Sequence, residues 1–178
     1  MKERPHTGAP FVERIPGPAE DLEFMRHALD EAARAAVHDD VPIGAAVVRD
    51  RAAIARAHNR REVDADPTAH AELLAMREAA PVLGRWRLLD CALYVTIEPC
   101  AMCAAAAILA RIALVVFGAP DEKAGAVRSA AELFDASWAN HHPRWRYFAP
   151  AREESERLLR DFFASHRSHG YPSGPELA

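Results

Sequence analysis

Long apolar runs are missing from this 178-residue chain. The longest, such as Ala104–Ala110, is far too short to cross a bilayer, and no hydrophobic stretch follows Lys2, Glu3, Arg4 and Pro5. Neither membrane insertion nor export is indicated. Cysteine is scarce: there are three, an odd number, with two of them three residues apart. That argues against a disulfide framework and for a metal or redox site in a reducing cytoplasm. Positive charge is not in excess either. With a formal net charge of −4 the chain has no global attraction for nucleic acid, so any RNA contact must come from a local patch. Repeats and low-complexity blocks are absent beyond a high usage of Ala and Arg. What remains is ordinary for one globular domain with a sizeable core, half of its residues being hydrophobic and 27% charged.

Residues 1–18 hold four prolines and two glycines and read as a disordered leader, with a domain over 19–168 and a flexible tail over 169–178. From Glu20 to about Val37, apolar residues at helical spacing follow acids in the first turn, which predicts an amphipathic helix. Ala45–Val48 and Ala52–Ala57, separated by the polar Arg49-Asp50-Arg51, predict a β-hairpin. A polar loop then leads to a second helix from Ala69 to about Ala80, closed by Pro81 and Gly84. Cys91–Ile97 reads as a strand buried on both faces. Pro99 opens a third helix, Cys100 to about Ala110. Ile112–Phe117 is another buried strand, and Arg152–Ser165 a last amphipathic helix. This order implies an α/β fold, a three-layer α/β/α sandwich around a mixed central sheet.

Two short motifs carry chemistry, His70-Ala71-Glu72 and Pro99-Cys100-Ala101-Met102-Cys103. Cys100 and Cys103 stand three apart in the first turn of a helix, so both sulfurs lie on one side and the helix dipole favours their thiolates. His70 begins the other helix, where its ring can reach past the helix end. One imidazole and two thiolates leave a tetrahedral ion one open position, as in catalytic zinc sites. Cys91 sits at the far end of a strand spanning roughly 20 Å and cannot fill that position. Zinc would lower the pKa of a water there, and Glu72 could take its proton, pass it to a ring nitrogen and protonate departing ammonia. The matching electrophile is an aromatic amidine carbon bearing an amino group. The bland alternative is a pair of surface residues at a helix start and two buried thiols.

These motifs, with MRHAL (25–29), VPIGAAVV (41–48), HNR (58–60), DPTAHAE (66–72), LYVTIEPCAMC (93–103), ARIALVVFGA (110–119) and LLRDFF (158–163), resemble the cytidine deaminase-like superfamily. Within it they are most similar to the bacterial tRNA adenosine deaminases. The resemblance implies a homodimer that uses one Zn2+ per subunit to convert adenosine to inosine at the wobble position of a tRNA anticodon arm. It assigns His70, Cys100 and Cys103 as zinc ligands and Glu72 as proton shuttle. Asn59, Ala71, Asp121, Lys123 and Phe162 (or Phe163) fall where the family contacts substrate or RNA.

Departures from the family pattern leave a second reading, deamination of a small free base or nucleoside, and a third, a silent partner subunit, against which the intact Glu72 speaks. Cys103-Ala104-Ala105-Ala106 has alanine in place of a glycine, and Gly125-Ala126-Val127-Arg128-Ser129 puts Arg128 where the family commonly has glycine. Trp138–Phe148 is dense in aromatic, Arg and His residues, and its tryptophans read either as core anchors or as stacking faces for nucleotides. His141 and His142 read as solvent-facing or polar loop residues.

Overall fold

A computed structural model describes residues 15–167. Its sheet has five strands in the order β2-β1-β3-β4-β5: β1 (Gly44–Arg49), β2 (Ala52–His58), β3 (Ala92–Ile97), β4 (Leu114–Ala119) and β5 (Arg144–Tyr147). β1 pairs antiparallel with both β2 and β3, whereas β3, β4 and β5 run parallel. The helices are α1 (Asp21–Val37), the single turn α2 (Arg61–Asp64), α3 (Ala71–Leu83), α4 (Ala101–Ala110) and α5 (Arg152–Arg167).

Alternation along the strands divides the core in two, as the period-two side-chain geometry of a strand requires. Leu93, Val95, Val115 and Phe117 face α3 and α4, together with Ala75, Ala79, Ala104 and Ile108. Ala92, Tyr94, Leu114 and Val116 face α1, with Phe24, Met25, Ala28 and Leu29, and reach Leu158 of α5. Helices therefore cover both faces of a mixed sheet, the three-layer α/β/α arrangement expected from the element order.

Gly44 is needed where α1 crosses β1. A side chain there would fall on the backbone of Ala28 and Ala32 and lie 2.9 Å from the carbonyl carbon of Glu31. Its N–H donates to Thr96 Oγ1 at 3.3 Å, tying β1 to β3.

Four local readings shift. α3 runs through Pro81 and stops only at Gly84, whose φ of 62° is the left-handed conformation that ends helices. α2 forms inside the stretch read as a loop, and the strand read from Ile112 begins at Leu114. β5 lies inside the aromatic segment. Its tryptophans are not core anchors: Trp138 is 64% and Trp145 38% exposed. Within the stretch read as leader, Ile15 packs on the α1 side of the core and the Pro16 carbonyl accepts from Arg146 at 3.0 Å. The ordered body thus includes residues 15–18. Residues 1–14 of that leader and the tail at 169–178 lie outside the described residues.

Candidate active site

The parallel strand β3 ends at Ile97, and the chain turns through Pro99 directly into α4, placing Cys100 at the helix N-cap and Cys103 in the first turn. His70 holds the same position on α3, as its N-cap. Two helix N-termini, each with unpaired N–H groups and a partial positive charge, therefore converge beside the sheet. His70 Nδ1 lies 3.8 Å from Cys100 Sγ and 3.6 Å from Cys103 Sγ. All three donor atoms are within 4.8 Å of one another, and among the described residues no other group of His, Cys, Asp and Glu side chains has this geometry. Cys91 is outside the set, fully buried, its thiol pushed up to about 12 chiefly by burial.

The donors behave as a site waiting for a cation. The Cys100 thiol is drawn down to about 4, first by its hydrogen bond with Cys103 and then by His70, while Cys103 is raised by the same bond and by burial. His70 is raised, mainly by its bond to Cys100. Two soft sulfurs and one imidazole suit zinc and leave one tetrahedral position without a protein donor.

Glu72, in the first turn of α3, is 4% exposed, and its Oε2 is buried without a hydrogen-bond partner. Burial raises its pKa above the usual carboxylate range. The helix start that carries His70 and Glu72 is fixed by Asn59, 2% exposed, whose Oδ1 accepts the Ala71 N–H at 2.9 Å.

The remaining residues singled out in the sequence form two flanks. Asp121 Oδ1 accepts the N–H groups of Lys123 and Ala124 at 3.0 and 3.1 Å, shaping the turn after β4, and Lys123 is exposed. Phe162, half-buried on α5, lines a cavity of about 510 Å3 with Asp39, Val41, Arg61, Phe163 and His166. Arg128 places its guanidinium 5.8 Å from the Trp145 ring and 5.9 Å from Tyr147. His141 and His142 lie 2.6 Å from the carbonyl oxygens of Ile112 and Phe134, so they are tied to main chain.

A model of the cytidine and deoxycytidylate deaminase zinc-binding region matches residues 18–119. The chain belongs to this family. The matched region of this deaminase contains His70, Cys100 and Cys103, the residues that can hold the zinc ion. It is 45% identical to a tRNA-specific adenosine deaminase of Aquifex aeolicus over 82% of this chain and 95% of that one. A tRNA-specific adenosine deaminase of Agrobacterium fabrum is 46% identical over 84% and 97% respectively. Among solved structures, one from a study of A-to-I editing by tRNA:A34 deaminases at the wobble position of transfer RNA superposes with a TM-score of 0.75. It is 45% identical and covers 78% of this chain and 99% of its own. A guanine deaminase from Bacillus subtilis matches less well, with a TM-score of 0.56 at 28% identity over 88% and 98%.

Two residues of the deaminase site escaped the sequence reading. Glu98, 3% exposed at the end of β3, binds the chain segment that follows β4. Its signal was a lone carboxylate closing a strand otherwise apolar on both faces. Arg61 gave no signal, being one of several charges in a polar loop.

Proposed function

We propose that this protein is a zinc-dependent hydrolytic deaminase that converts adenosine to inosine at the wobble position of a tRNA anticodon, working as a homodimer in the cytoplasm. The observation that carries the chemistry is the buried Glu72 carboxylate, with a free oxygen, beside an open three-donor set. Near-complete coverage of tRNA-specific adenosine deaminases at 45% and 46% identity carries the substrate.

The reaction is adenosine plus water to inosine plus ammonia. His70, Cys100 and Cys103 would hold the zinc ion, which when bound would supply Lewis acidity to the attacking water. Glu72 accepts the proton of the attacking water and delivers it to the ring nitrogen, then takes the remaining proton from the new hydroxyl on the attacked carbon and gives it to the amino group, so that ammonia leaves as the carbon–nitrogen bond breaks and the keto group forms. Asn59 holds the Ala71 N–H and so keeps Glu72 aimed at the reacting carbon. A duplex would bury the amino-bearing carbon, so the adenosine must be turned out of its stack. Asp121 and Lys123 on one side and Phe162 on the other are then placed to receive the flanking nucleotides.

Homodimerisation is supported by a groove of about 400 Å3 between α3 and α4, lined by Leu73, Met76, Ala80, Trp86 and Leu109. Trp86 and Leu109 are 56% and 65% exposed, a contiguous apolar surface of the kind that marks an interface. Cysteines kept as free thiols fit a reducing cytoplasm, and among the described residues no helix is long and apolar enough to cross a membrane.

The test is to incubate the purified, zinc-loaded protein with an anticodon stem-loop carrying adenosine at the wobble position and, separately, with free bases and nucleosides. Inosine in the RNA is expected. Ammonia released only from small molecules would assign it to the free-base deaminases, and no product from either would make it a silent subunit.

A further inference from the structure

We infer that Glu98 is a positioning residue that holds the 121–129 loop, with the cationic side chains of Lys123 and Arg128, against the turn carrying Cys100, and thereby sets how RNA meets the metal centre. This rests on the RNA substrate proposed above.

The segment from 121 to 129 contains neither helix nor regular strand, so its shape comes from what it is bonded to. Five of those bonds end on one carboxylate. Glu98 Oε1 accepts the N–H groups of Val127, Arg128 and Ser129 at 3.1, 2.7 and 3.0 Å. Glu98 Oε2 accepts the Asp121 N–H at 3.3 Å and the Ser129 hydroxyl at 2.5 Å. Three consecutive N–H groups converging on a single oxygen form an anion-binding nest, which forces residues 127–129 to wrap around the carboxylate.

The carboxylate itself cannot drift. Glu98 N–H donates to the Ala119 carbonyl at 2.8 Å, locking it to β4, and Cys100 follows two residues later. The Ala126 N–H donates to the Pro99 carbonyl at 2.8 Å, and Gly125 makes an isolated antiparallel bridge with Cys100. Only glycine fits at 125, because a Cβ there would lie 2.5 Å from Glu98 Cδ and 2.6 Å from the Asp121 carbonyl oxygen. Loop and metal-binding turn are therefore stitched together around Glu98.

On its outer side the loop shows what a nucleic acid needs. Lys123 and Arg128 are exposed, and Arg128 stands over the rings of Trp145 and Tyr147 on the sheet edge. Cations attract phosphate, and aromatic and guanidinium planes accept stacked bases. Five donors meet this buried carboxylate, and an apolar side chain in its place would leave them unpaired. What the carboxylate adds is a fixed placement of this face relative to Cys100.

The experiment compares the zinc-loaded full chain with Glu98→Gln and Ser129→Ala, using the anticodon stem-loop. KM is expected to rise about tenfold for Glu98→Gln and about threefold for Ser129→Ala, with kcat within about twofold, because uniform binding and not the chemical step is lost. Zinc content should stay at that of the parent, and amide exchange should accelerate at 121–129. Unchanged KM in Ser129→Ala, or a fall in kcat with KM untouched in either variant, would overturn the assignment. If Glu98→Gln fails to fold, Ser129→Ala decides alone. Should the parent protein leave stem-loop adenosine unconverted, the proposed activity fails while the positioning role is still decided, by whether filter-binding affinity for the stem-loop weakens in the variants.

Discussion

Glu72 and the three metal donors differ in what their neighbours ask of them. His70 Nδ1 stands 3.8 Å from Cys100 Sγ and 3.6 Å from Cys103 Sγ, so the three donors are gathered into one set by the fold. Glu72 sits beside the set with an oxygen that bonds to nothing in the chain. A ligand and a shuttle are thereby separable by experiment. Glu72→Gln should keep full zinc by metal analysis while inosine formation falls by more than ~10²-fold, since one carboxyl serves several proton transfers. Zinc loss in that variant would make Glu72 a ligand. The four residues were legible because their chemistry demands particular side chains at short spacing. Glu98 was not, because its role depends on donors that lie between 23 and 31 residues further along the chain.

Elements whose stability is local were readable from periodicity, and those made by distant pairing were not. The buried faces of α1 and α5 follow helical spacing, and β3 and β4 are continuous apolar runs. β5 is different: its register against β4 sets Leu114 beside Arg144 and Phe117 beside Tyr147, some thirty residues apart. That pairing turns Trp145 and Tyr147 toward Phe117, at ring separations of 6.0 and 5.8 Å, and sends Arg146 to the opposite face, where it bonds Asp21. Arg144-Trp145-Arg146-Tyr147 does alternate, but four residues inside a stretch dense in aromatic, Arg and His residues are too short to name their partner strand. The contact of α1 with β1 is equally invisible in sequence, although one residue records it. Gly44→Ala should destabilise the fold by about 3 kcal/mol, because the obstacle is backbone that cannot rotate away. For a chain of this size that corresponds to a thermal midpoint lower by roughly 10 °C, measurable by calorimetry.

At the scale of the whole molecule, the sheet order brings the starts of α3 and α4 to one end of the sheet and leaves between the two helices a groove lined by Met76, Trp86 and Leu109 and edged by Arg77 and Arg111. Leu109→Glu would place a charge in the proposed subunit interface, where it could not be solvated. Sedimentation should show a dimer for the parent protein and a monomer for the variant; a dimer in both would exclude the α3–α4 groove as the interface. The amino-acid sequence by itself determined that His70, Cys100 and Cys103 would form a set able to hold a metal ion, that the Glu72 carboxyl would stand beside them, and how helices and strands alternate, because ligand chemistry and hydrophobic periodicity act over a few residues. Tertiary structure alone decided the fifth strand, the exposure of Trp138 and Trp145, the placement of Arg128 over the edge aromatics and the suspension of the 121–129 loop from Glu98. Each of those joins groups far apart in the chain, and such contacts become favourable only once the core has closed and brought them within hydrogen-bond or van der Waals reach.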